Sequence, residues 1–162
     1  MARGTYILPF TNITLANQAV TLAFLNPGTN ATLEILRAAV GQSANATSAM
    51  QRVQLSTQVT AFPTLVSATP VATSIIDQAS KITGGTAGAA GTCGINASAE
   101  GAGAKTVLLS DQFNVLNGWL WVPIPEDRPV LSAGSTSGIG LVFPAAPATL
   151  TGWSGYIEFR EW

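Results

Sequence analysis

The chain has 162 residues, of which 47% are hydrophobic, 9% are charged and none is histidine. Its 7 Lys+Arg and 8 Asp+Glu stand where an average domain of this length carries roughly 40 charges, and the net charge of −1 offers no field to draw the chain to nucleic acid or an anionic membrane. The hydrophobic fraction excludes a disordered tail, and the missing histidine excludes His-ligated zinc and haem and the Ser-His-Asp and Cys-His catalytic arrangements.

The length fits a single domain over residues 1–162, large enough to bury a core without staples. Cys93 is the only cysteine, so no intrachain disulfide can form. The opening Met1-Ala2-Arg3-Gly4 leads into a short apolar run broken at Pro9, too brief for a secretory signal, and no export is expected. Residues 1–12 are expected as an N-terminal arm that includes a strand at 5–9. Three stretches, 4–33, 53–76 and 129–157, carry no charge. Each is interrupted by polar residues or Pro, so none supplies the ~20 apolar residues needed to cross a bilayer.

Further segments rich in Val, Ile, Leu, Thr and aromatics lie between Pro, Gly and Asn punctuation and predict strands at 18–25, 31–40, 52–59, 105–113, 119–124, 138–143 and 152–160. Eight strands in this length predict an all-β fold, an antiparallel two-sheet sandwich or jelly roll. Leu33, Leu36, Arg37 and Val40 also fit a helical stripe, with Asn30 or Thr32 able to cap it, but the surrounding strands favour extended chain. Residues 84–104, Gly- and Ala-rich, predict a long flexible loop. At the C-terminus Trp153, Ile157 and Phe159 fall on one face, expected as core, and Tyr156, Glu158, Arg160 and Trp162 on the other.

Ala99-Glu100-Gly101-Ala102-Gly103-Ala104-Lys105-Thr106 resembles a phosphate-binding loop only superficially. Ala99 and Ala104 replace both required glycines, and a strand follows where that motif needs a helix. Glu126-Asp127 is a candidate acid/base pair, but Pro123, Pro125 and Pro129 surround it and Arg128 adjoins it, which reads as a solvated turn or an inter-subunit ion pair. Asn12, Asn30, Asn45 and Asn96 open Asn-x-Ser/Thr triplets that carry no meaning without export. Cys93 has no basic neighbour to activate it and is expected to be inert. Trp119 and Trp121 share a face, either as core or as a stacking platform for a sugar or partner.

An ordered series of short patterns runs through the second part of the chain: Phe113-Asn114-Val115, the aromatic strand Trp119 to Trp121, Pro125-Glu126-Asp127-Arg128-Pro129-Val130, Ser132-Ala133-Gly134, Gly140-Leu141, Pro144-Ala145-Ala146-Pro147-Ala148 and Tyr156-Ile157-Glu158-Phe159-Arg160-Glu161. In these, and more loosely in Ile35-Leu36-Arg37-Ala38, Gln42-Ser43 and Met50-Gln51-Arg52-Val53, it resembles small virion structural proteins from the head-gene region of tailed bacteriophages. It departs from them by ending in Arg160-Glu161-Trp162, where the pattern closes in acidic and aliphatic residues.

The resemblance implies a β-sandwich, supports a strand over 31–40, and implies a non-enzymatic virion protein, assembled in the bacterial host cytoplasm, with no cofactor or metal. The expected role is a capsid decoration (cement) protein on the outer shell. Its expected partners are the major capsid protein and copies of itself in a small oligomer such as a trimer, with no nucleic acid and no membrane. A tail, neck or head-fibre component is the alternative, and a carbohydrate-binding sandwich using Trp119 and Trp121 is a reading of another class. The expected contact residues are Ala2, Arg3, Thr5, Tyr6, Glu126, Arg128, Tyr156, Arg160 and Trp162, with the Gly-rich loop.

Overall fold

In the computed structural model, residues 4–16, 20–73, 80–85 and 91–162 are described. Along them lie β1 (Gly4–Ile13), β2 (Thr21–Leu25), β3 (Leu33–Gln42), β4 (Met50–Val59), β5 (Thr64–Ser67), β6 (Val71–Ala72), β7 (Thr83–Gly84), β8 (Thr92–Ala99), β9 (Ala104–Asn114), β10 (Trp119–Trp121), a 3₁₀ turn (Pro125–Asp127), β11 (Val130–Leu131), β12 (Ser137–Val142) and β13 (Trp153–Glu161). Sheet A has the order β10-β3-β13-β1-β6, with β11 beside β10 on the same edge of β3; sheet B has the order β5-β8-β2-β12-β4-β9, with β7 on β8. All pairs are antiparallel except β7 with β8. The fold is an all-β, two-sheet sandwich.

Alternation builds the core. In β13, Trp153, Ile157 and Phe159 are fully buried between the sheets, as their spacing predicts. β1 contributes Tyr6, Leu8 and Phe10, and β12 contributes Ile139 and Leu141. Each such side chain stabilises the fold by about 1.5–3 kcal/mol through burial. Aromatic rings lock one end: Phe143 and Trp153 meet edge-on with centroids 4.7 Å apart, Phe113 meets Trp153 at 6.4 Å, and the Trp153 indole donates to the Thr149 carbonyl.

The helix-like spacing in 31–40 has a physical source. β3 pairs with β13 across a register shift between Glu158 and Phe159, leaving Leu36 as the extra residue. The inward residues are therefore Leu33, Ile35, Ala38 and Val40: the bulge keeps Leu33 and Val40, seven residues apart, on the core face, while Leu36 and Arg37 of the apparent helical stripe are not core residues.

From Gly4 onward the segment expected as an arm is a strand within the sheet. β1 lies inside sheet A between β13 and β6, and its alternation drives Tyr6 into the core at 2% exposure, so Tyr6 is not a surface contact. Ala2 and Arg3 lie outside the described residues, as does Gln18, where the second strand was expected to start. The strand expected over 119–124 ends at Trp121, because Pro123 and Pro125 cannot continue a ladder.

The segment expected as a loop over 84–104 contains β8, which pairs with β2 and β5; its residues 86–90 lie outside the described ones. Small residues are required there. A Cβ on Gly94 would sit 2.7 Å from the Leu65 side chain and the Val66 carbonyl, so the composition that reads as a flexible loop is what lets β5 pack close.

Two glycines in the centre of sheet A separate space from conformation. A Cβ on Gly155 would lie 2.1 Å from the Ala39 carbonyl oxygen and 2.7 Å from the Phe10 ring, whereas one on Gly41 would meet nothing within 4 Å. Urea unfolding is expected to show Gly155→Ala destabilised by about 2–3 kcal/mol and Gly41→Ala within about 0.5 kcal/mol of the parent. Equal effects at both sites would contradict this packing.

Candidate assembly surface

Most charged side chains in the described residues are already engaged. Glu161, fully buried at the end of β13, accepts hydrogen bonds from the Ser80 hydroxyl and from the Lys81 and Ile82 amides. Glu100 accepts from the Val20 and Thr21 amides at 2.8 and 2.7 Å and from the Thr21 hydroxyl, while Lys105 pairs with it at 2.6 Å. Both carboxylates satisfy backbone donors that have no ladder partner. Burial alone would push the Glu100 carboxyl up, but Lys105 and Thr21 outweigh it and hold the group below its ordinary 4.5.

The outer face of sheet A carries a second network. Glu34 on β3 receives Arg128 at 3.0 Å, Arg160 at 3.5 Å and the Trp162 indole at 3.0 Å, and the Arg160 guanidinium lies 5.5 Å from the Trp162 ring centre. Desolvation would raise the Glu34 carboxyl, yet the Arg128 and Trp162 hydrogen bonds and the Arg160 charge leave it lowered. One row along, Arg37 pairs with Glu158 and stacks over Tyr156. Thr5, opposite Arg160 in β1, accepts at its carbonyl from the Thr73 amide and hydroxyl.

Of the contact residues expected from sequence, the fold thus gathers Thr5, Arg128, Tyr156, Arg160 and Trp162 on one face and sets Glu126 in the exposed 3₁₀ turn beside it. Arg128 does not neutralise its neighbours Glu126 and Asp127 but reaches Glu34 instead; neither of those carboxylates has an ion-pair partner among the described residues. No three His, Cys, Asp or Glu side chains among the described residues converge as metal ligands.

One side of the sandwich is apolar and open. There the edge strand β9 of sheet B faces the β10–β11 edge of sheet A, tied by the Trp119 indole donating to Asp111 at 2.9 Å. The indole and the Gln112 amide hold the Asp111 carboxyl below its usual range. Between the edges lies a groove of about 440 Å³ lined by Leu55, Leu108, Leu109, Trp121, Pro123 and Pro129, with Asp127 at its rim. β9 is exposed along most of its eleven residues. Leu120, Val122 and Ile124 are each 62% exposed and Val130 59%; on β9, Leu108 lines the groove, while Val107 lies on the outer face of sheet B.

Sequence reasoning missed this strip. Leu120, Val122 and Ile124 alternate with Trp119, Trp121 and Pro123, so both faces of the segment are apolar, and that is the signal that could have found it. Trp119 is core and committed to Asp111; only Trp121 reaches the groove, which removes the paired stacking platform. Cys93, on β8, donates to the Ala68 carbonyl, and burial, with the nearby Glu161 charge, pushes its thiol up to about 12, which makes it a poor nucleophile.

No family model, curated protein or solved structure matches the chain.

Because the folded Glu100 carboxyl titrates below its ordinary 4.5, its contribution is complete above 4.5 and is lost as pH falls from there through the lower folded value. Glu100→Gln is expected to cost about 1–2 kcal/mol at pH 7 and to flatten the fall in stability between pH 5 and pH 3, Glu34 and Asp111 contributing slope that remains. Chemical denaturation across that range measures it, and parallel curves for parent and variant would contradict the role of Glu100.

Proposed function

We propose that the protein is a structural component of a phage virion, a decoration protein that binds the outer capsid shell as a small oligomer and holds it together. The observation that supports this most is the open apolar side of the sandwich, on a chain whose charges are largely spent within its own fold. Such a surface suits burial against other subunits. Removing Leu, Val and Ile area from water yields about 25 cal/mol per Å² without the desolvation cost of ions.

A decoration protein works by adding contacts across capsomer boundaries, so that internal pressure must break several interfaces at once. Its partners on this reading are the major capsid protein and its own copies, and its location is the virion surface. The virion reading itself starts from the resemblance of residues 104–162 to small head-region virion proteins.

Purified virions are expected to contain hundreds of copies, and particles lacking the protein to release DNA at a lower temperature than complete ones. A count of about a dozen or fewer, as a single symmetric ring would give, would overturn the decoration role and move the chain to the tail, neck or fibre.

A further inference from the structure

The turn between β9 and β10 holds a dipeptide with a chemistry of its own. Of the chain's eight asparagines, Asn117 is the one followed by a glycine. It is exposed and closes a turn in which its backbone amide donates to the Asn114 carbonyl at 2.9 Å. Its side-chain amide has no hydrogen-bond partner among the described residues, whereas Asn114 is held by Ser48 and the Leu116 amide, and Asn45 by the Thr47 amide.

We propose that Asn117–Gly118 is a self-modification site at which the folded chain deamidates, with water as the only co-reactant. The Gly118 backbone nitrogen attacks the Asn117 Cγ and gives up its proton through solvent to the departing side-chain nitrogen. The new N–C bond closes a five-membered succinimide, and ammonia leaves. Water then adds to one of the two ring carbonyls and one ring C–N bond breaks. Opening at Cγ leaves an aspartate in an ordinary main chain; opening at the backbone carbonyl leaves an isoaspartate, whose main chain runs through Cβ.

Three features favour the attack here. A side chain on the following residue would shield the attacking nitrogen, and Gly118 has none. The exposed amide of Asn117 reorients without giving up a hydrogen bond. Residues 117 and 118 lie between strands, since β10 begins its pairing only at Trp119 with Val40, so no ladder fixes them. Other asparagines lack these conditions: Asn96 sits within β8 with its side-chain oxygen buried, and Asn26 is buried and precedes Pro27, whose nitrogen has no proton to give. Either product sets a carboxylate at the entry to β10. The isoaspartyl form also lengthens the main chain just before Trp119, whose indole ties the two sheets through Asp111. The reaction does not depend on the virion reading.

Incubation of the intact folded chain in mildly alkaline buffer, followed by peptide mapping with mass spectrometry, tests the site. The Asn117 amide is expected to be lost on the order of tenfold faster than that of any other asparagine. Its product is expected to separate into two forms of equal mass, one co-eluting with the matching peptide of Asn117→Asp and the other, more abundant, isoaspartyl. Asn117→Gln, which would have to close a six-membered ring, is expected to remove most of the acidic drift of the ageing chain on isoelectric focusing. Loss at Asn117 no faster than elsewhere would overturn the proposal. Loss that appears only after unfolding in urea would also overturn it, because the fold would then block the attack. A single product matching Asn117→Asp would do the same, since direct hydrolysis gives it without a ring.

Discussion

β13 pairs along its length with β1 on one side and β3 on the other, and its strict alternation is the constraint on which the arrangement depends. Trp153, Ile157, Phe159 and Glu161 must point inward together, and Tyr156, Glu158 and Arg160 outward, since a slip of one residue would exchange the two sets. The inward set anchors the aromatic cluster with Phe113 and Phe143 and ends in the carboxylate that holds the Ser80–Ile82 segment. The outward set, with Glu34 and Arg37 of β3, fixes the ion-pair rows on the outer face of sheet A.

That division explains the shortage of charge. Glu34, Arg37, Arg128, Glu158 and Arg160 neutralise one another on a single face, while Glu100 and Glu161 hold backbone amides where chain segments meet strands. On the β9/β10 side the exposed charges that remain are few, and the edge strand β9 lies largely uncovered among the described residues. An edge so exposed on a free monomer is an aggregation liability, and the bulge at Leu108 and the carboxylates of Asp111 and Asp127 are its visible defences. In an assembly the same edge becomes an asset, and this is the physical basis of the proposed role.

The long strands were legible because their apolar residues recur in pairs of faces or lie in Val- and Leu-rich runs, as in 152–160 and 138–143. β5, β6, β7 and β11 escaped because two to four residues give no period, and β8 because Gly94, Ala97 and Cys93 are chosen for close approach rather than for strand propensity. The outer-face contact residues were recognisable from the alternation of β13. Tyr6 was misplaced because a leading segment near a chain end reads as an arm until its pairing partners, 150 or more residues away for Phe159 and Arg160, are known. The groove could not be read at all, since it exists only where β9 of one sheet comes opposite Trp121 and Pro129 of the other.

The claim at the centre of this account is that the β9/β10 side is covered in the working particle. Hydrogen–deuterium exchange of residues 104–114 and 119–131, compared between the dilute free chain and intact virions, tests it most directly. The account predicts that the outward amides of β9, unpaired in the single chain, exchange quickly when free and become protected by at least tenfold in the particle. Equal exchange in the two states, with protection appearing elsewhere on the molecule, would contradict it.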